Sequence, residues 1–151
     1  MYKDSAADSL PRVRRTETTV ERTPDGRRLV VARTVDAPAE DAWDVLVETR
    51  LWSEWGPSVT AVRGPDRIGP GATGEVRIAG AGVWVPFEVT AFDADARRWT
   101  WAVARVPATG HRVEALGPER CRVAFEIPPL AAGYAVVCRR ALGKIARLAE
   151  R

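Results

Sequence analysis

Two hydrophobic rhythms run through this chain. From residue 28 onward, RLVVARTV (28–35), VTAVRG (59–64), TGEVRIA (73–79), VWVPFEVTAF (83–92), RRWTWAVARV (97–106), HRVEAL (111–116) and RCRVAFEI (120–127) follow the two-residue period of half-buried strands. Gly, Pro and Asp clusters separate most of them, as turns require. Two segments keep the helical period instead. In APAEDAWDVLVETRLW (37–52), Trp43, Leu46, Val47 and Leu51 recur at helical spacing. Pro38 suits a first helical position there, and Glu40 and Asp41 a first turn. Ser53 to Pro57 should break or bend that helix. From about Leu130 the chain reads as one long amphipathic helix. Tyr134, Val137, Cys138, Ala141, Ile145 and Leu148 share one stripe, opposite Arg139, Arg140, Lys144, Arg147 and Arg151.

Alternation also assigns faces, because polar residues mark the outside. His111, Val113 and Ala115 then point inward from one strand, and Cys121, Val123, Phe125 and Ile127 from the next. Val83, Val85, Phe87, Val89 and Ala91 form the inward set of their strand. Short hairpin loops predict the neighbours: Val113 opposite Val123, His111 opposite Phe125, Val89 opposite Trp101 and Ala91 opposite Trp99. A loop over residues 106–110 would place Arg105 opposite His111. On the outer face Arg77 falls opposite Trp84, a pair suited to a cation–π contact. The whole reads as α+β: a curved antiparallel sheet of about seven strands, covered by the C-terminal helix.

Residues 1–27 carry mixed charge and few apolar groups, which predicts a mobile tail. Within it TPDGR (23–27) is turn chemistry, so residues 16–22 also fit a short extra strand. The net charge of +3 is unevenly placed, with residues 130–151 contributing five basic groups against one acid. Twenty-one of the basic residues are Arg, so the pI of 9.3 speaks weakly for a nucleic-acid partner. No stretch has the apolar length of a membrane span or the h-region of a signal peptide, which makes the cytoplasm the expected location. Cys121 and Cys138 cannot make a disulfide framework, and a single histidine argues against a zinc site. Neither a metal nor another cofactor is expected.

The wording of several segments adds a resemblance. RTVDAPAEDAWDVLVETRLWSEWGP (33–57) is similar to the opening of the polyketide cyclase/dehydrase and lipid-transport branch of the START-like, or helix-grip, superfamily. VPFEVTAFDADARRWTWAV and HRVEALGPERCRVAFE resemble that branch's later hairpins. The resemblance covers residues 28–151. It implies a sheet wrapped around a long helix, one or two short helices after the first strand, and a cavity for small hydrophobic molecules.

Few residues could carry chemistry in such a cavity. His111 is a candidate general acid/base or anchor for a ligand oxygen, although a rim histidine bonded to backbone or water is the commoner arrangement. Arg105, placed beside it, must reach solvent or meet an anion. Tyr134 offers a hydroxyl from the inward stripe of the last helix. Trp55, Phe87, Val89, Trp99, Trp101, Val113, Phe125 and Cys138 are the candidate apolar wall. Glu75, Glu88 and Asp93 face outward or sit in turns, and GPGATG (69–74) precedes no helix, so it reads as a hairpin turn. The expected function is binding of a small aromatic or polycyclic molecule, with cyclisation or dehydration of a polyketide as its enzymatic form. A non-enzymatic carrier or sensor is the alternative. A further one is an interaction module using the basic outer face of the last helix toward an acidic protein, RNA or anionic lipid.

Overall fold

Strand-period segments are half-apolar ribbons, and they bury their apolar faces by pairing into one sheet and curling it over a helix. The structure, a computed structural model, describes residues 16–56 and 58–151. Eight strands form the sheet: β1 (Thr16–Thr23), β2 (Gly26–Val35), β3 (Val59–Arg63), β4 (Thr73–Ile78), β5 (Trp84–Asp93), β6 (Arg98–Val103), β7 (Val106–Gly117) and β8 (Arg120–Ile127). Their order is β1-β2-β8-β7-β6-β5-β4-β3, with every neighbouring pair antiparallel. Between β2 and β3 lie helix α1 (Ala39–Val47), a 3-10 turn (Thr49–Leu51) and helix α2 (Trp52–Trp55). After β8 a 3-10 segment (Pro129–Tyr134) leads into helix α3 (Ala135–Ala149). This is the α+β helix-grip architecture, with α3 gripped on the concave face by its buried stripe Cys138, Ala141, Leu142 and Ile145.

Much of the expected register is present. Val113 faces Val123, His111 faces Phe125, Val89 faces Trp101 and Arg77 faces Trp84. Three features depart from expectation. First, residues 16–27 are not a tail: the short extra strand that the TPDGR turn allowed is present as β1, while residues 1–15 lie outside the described residues. Thr23 Oγ1 donates to the Gly26 carbonyl at 2.8 Å and accepts from the Asp25 amide, closing the turn that folds β1 onto β2. Side chains then hold β1 from both faces: Arg112 donates to Glu21 at 2.8 Å, and Arg139 of α3 donates to Thr18 at 2.6 Å.

Second, β6 and β7 are joined by the two residues Ala104 and Arg105, not by a five-residue loop. Both have positive φ, 51° and 66°, as a two-residue hairpin with the right twist demands. Arg105 therefore stands exposed at a turn, and His111 pairs with Trp99 instead. Third, an irregularity between Val89 and Ala91 shifts the register of β5. It leaves Ala91 exposed opposite Thr100 and brings Phe92 opposite Trp99, where its ring lies 5.5 Å from Trp43.

The convex face carries an ion-pair cluster above small side chains. Glu126, 2% exposed, accepts from Arg98 Nη2 at 2.7 Å and from Arg112 Nη1 at 3.0 Å. Gly110, opposite Glu126, leaves room for this carboxylate: a Cβ would lie 2.9 Å from Glu126 Oε1 and 3.2 Å from Thr100 Cγ2. The cation over Trp84 is Arg63, 3.8 Å from the ring centroid, because Arg77 turns its Nε to the Gly82 carbonyl.

Candidate functional site

The end of α1 sets up the site. The last carbonyls of a helix lack intrahelical partners, and two indoles satisfy them here. Trp52 Nε1 donates to the Leu46 carbonyl at 3.0 Å and Trp55 Nε1 to the Val45 carbonyl at 3.1 Å. Spaced three apart on α2, both rings are thereby aimed at the concave face of the sheet. Trp52 stacks on Trp99 at 5.5 Å and meets Trp101 edge-on at 5.3 Å. Trp55 lies 5.9 Å from Phe125 and 6.1 Å from His111.

Between this aromatic wall and the N-terminal half of α3 is a cavity of about 310 Å³. Trp52, Trp55, Trp101 and Phe125 line its inner side, and Val137, Cys138 and Ala141 its helix side. Tyr134 and Ser58 line it together, joined by a 2.7 Å hydrogen bond between their hydroxyls. Among the described residues, Thr109 and His111 supply the remaining polar side chains other than the Cys138 thiol, and no Asp, Glu, Lys or Arg contributes.

The proposed wall thus divides. Trp55, Trp101, Phe125, Cys138, His111 and Tyr134 come together around the space. Phe87, Val89, Trp99 and Val113 are buried behind or beside it as core. Arg105 lies apart, on a shallow outer depression with Glu88 and Gly74. Among the lining residues that sequence reasoning did not single out, Trp52 and Thr109 matter most to the geometry. Trp52 falls off the stripe of α1 because the 3-10 turn rotates the chain, although the WSEW spacing is its visible signal. Thr109 was hidden by starting β7 at residue 111. With the strand beginning at Val106, Thr109 and His111 share a face.

Hydrogen-bond partners define the polar end. Trp101 Nε1 donates to Thr109 Oγ1 at 3.3 Å, and Thr109 Oγ1 lies 3.0 Å from His111 Nε2. On the other side of the ring, His111 Nδ1 is 3.4 Å from the Trp99 carbonyl. The imidazole also stacks on Trp99, with centroids 3.9 Å apart. Burial pushes its pKa down from 6.5 to about 3, so the ring is neutral at neutral pH. Burial likewise pushes the Cys138 thiol up to about 12, which makes it a protonated wall element and not a nucleophile. Burial raises the Tyr134 pKa too, against the lowering effect of its bond to Ser58.

Comparison with known proteins places this geometry. Residues 27–150 match the family model described as polyketide cyclase / dehydrase and lipid transport. The chain belongs to that family. A search of curated proteins found no significant match. Among solved structures, the Zhui aromatase/cyclase from Streptomyces sp. R1128 superposes with a TM-score of 0.61 at 15% identity, covering 90% of this chain and 94% of that one. The two-domain aromatase/cyclase StfQ of the steffimycin biosynthetic pathway gives 0.63 at 20% identity, over 82% of this chain and 45% of that one. A truncated norcoclaurine synthase from Thalictrum flavum gives 0.56 at 12% identity, over 88% and 94%. At these identities the likeness is one of fold. Among the described residues, no helix is long and apolar enough to cross a membrane, and no His/Cys/Asp/Glu group could hold a metal ion.

Proposed function

We propose that this polyketide cyclase/dehydrase-family domain binds a small apolar molecule, aromatic or polycyclic, between α3 and the sheet. The observation that carries this reading is the cavity of about 310 Å³ walled by Trp52, Trp55, Trp101 and Phe125. Ligand sites typically span roughly 300–1,000 Å³ and combine an apolar wall with a few convergent polar groups. In its enzymatic form the cavity holds a flexible chain in the folded conformation from which a ring closes, so that positioning supplies the rate. The neighbours named aromatase/cyclase support that form.

The neutral His111 supports a second form, a carrier or sensor. A ring with a pKa of about 3 that is hydrogen-bonded at both nitrogens holds no transferable charge at neutral pH. Titration of the purified protein with an apolar fluorescent dye should quench tryptophan emission, with an affinity that changes little between low and high salt. Trp101→Leu should weaken dye binding at least tenfold while the protein still melts cooperatively. Unchanged affinity in that variant refutes the cavity as the binding site. Turnover of a linear aromatic-polyketide mimic separates the enzyme from the carrier.

A further inference from the structure

We infer that Thr109 reads the ligand: its hydroxyl oxygen accepts a hydrogen bond from an O–H or N–H of an uncharged molecule, and the cavity rejects anions. This rests on the binding reading above and specifies its chemistry.

The argument is an account of donors and acceptors. The Trp99 carbonyl can only accept, so the proton of the His111 ring sits on Nδ1. A neutral imidazole has one such proton, which leaves Nε2 bare and able only to accept. The Thr109 hydroxyl must therefore donate its single hydrogen to Nε2. Its oxygen has two lone pairs, and the Trp101 N–H takes one of them. One lone pair is left, on a residue that lines the cavity.

Elsewhere the polar capacity is spent or lies in reach of water. The indole hydrogens of Trp52 and Trp55 go to the carbonyls of α1. Ser58 and Tyr134 bond each other, and Tyr134 is 36% exposed. Among the described residues, the inner end thus offers an acceptor, and the protonated Cys138 thiol on the helix side is its one weak side-chain donor. A phenol, alcohol or amide N–H satisfies the acceptor. A carboxylate would face that lone pair with no cation among the described residues that line the cavity, and burying an unpaired charge is costly.

Three probes of one ring system test this: 2-naphthol, 2-methoxynaphthalene and 2-naphthoate, titrated by calorimetry against the intact protein. The native protein should bind 2-naphthol about tenfold more tightly than the methyl ether, as expected for one net hydrogen bond, and 2-naphthoate most weakly. Thr109→Val should bring 2-naphthol and the ether to equal affinity, and Thr109→Ser should restore the preference. A purely structural role for Thr109 would weaken both neutral probes alike, which overturns the inference. So does equal binding of 2-naphthol and the ether by the native protein, which needs no variant to fold and leaves the cavity reading intact. Failure of all three probes to bind overturns the cavity reading itself, and this inference with it.

Discussion

Lowering the pH from 8 to 5 should remove about 2 kcal/mol of stability through His111 alone, by proton linkage. The imidazole titrates near 6.5 when exposed and near 3 in the folded protein, because burial between Trp99, Trp55 and Phe125 disfavours the cation. A depressed folded pKa stabilises the fold fully above 6.5, and that contribution is lost as the pH falls from 6.5 toward 3. At pH 5 the unfolded ring is protonated and the folded ring is not. That pH is about 1.5 units below 6.5, at roughly 1.4 kcal/mol per unit. Over the whole window the loss approaches about 5 kcal/mol. Glu21 also has a lowered folded pKa, but its contribution falls below its ordinary value of 4.5, so the interval above pH 5 isolates the histidine. The assay is urea denaturation followed by tryptophan emission at pH 8, 6.5 and 5, on the native protein and on His111→Gln. The native protein should lose the stated amount and the variant almost none, whatever its absolute stability. An equal drop in both refutes the reasoning, as does a flat native profile.

Glu126→Gln should destabilise the fold by about 2–3 kcal/mol in the same urea assay, because it leaves two largely buried guanidinium groups without their shared carboxylate. Their side chains are only 14% and 15% exposed, while residual pairing of Arg98 with Asp25 and of Arg112 with Glu21 keeps the cost at the low end. Deleting residues 2–24 should cost about 2 kcal/mol, the worth of the charged hydrogen bond from Arg112 to Glu21. For a domain of this size that is a fall of about 4–8 °C in Tm. An unchanged Tm would mean that β1 contributes nothing to the domain.

Where one face of a strand is apolar and the other charged, the sequence was enough. A one-residue slip in β7 or β8 would turn Arg112, Glu114 and Arg122 into the core, so Val113 against Val123 and His111 against Phe125 were legible from alternation alone. The stripe of α3 was legible in part for the same reason: Cys138, Ala141 and Ile145 face inward as its arginines require, but Leu142, Ala146 and Ala149 are buried beside them and Tyr134 is exposed. Trp99 and Trp101 sharing the concave face followed from their spacing, and Phe125 opposite His111 from the hairpin register, whereas Trp55 reaches His111 only through the tertiary fold.

Local backbone geometry escaped that logic. The Ala104–Arg105 turn adopts positive φ at two residues that carry no glycine signal, and it swings Arg105 away from the histidine it was expected to meet. The irregularity in β5 exchanges Ala91 for Phe92 on the inner face, because one extra residue resets a period of two. Which indole is wall and which is core was a tertiary decision. Trp99 and Trp101 have the same parity, but Trp99 is sandwiched between Trp52 and His111 while Trp101 keeps a face open to the cavity. The Trp101–Thr109–His111 chain likewise exists only once β6 and β7 are paired. Alternation tells each side chain which way to point, and the space left between the sheet and α3 depends on how far helices anchored elsewhere in the chain approach it.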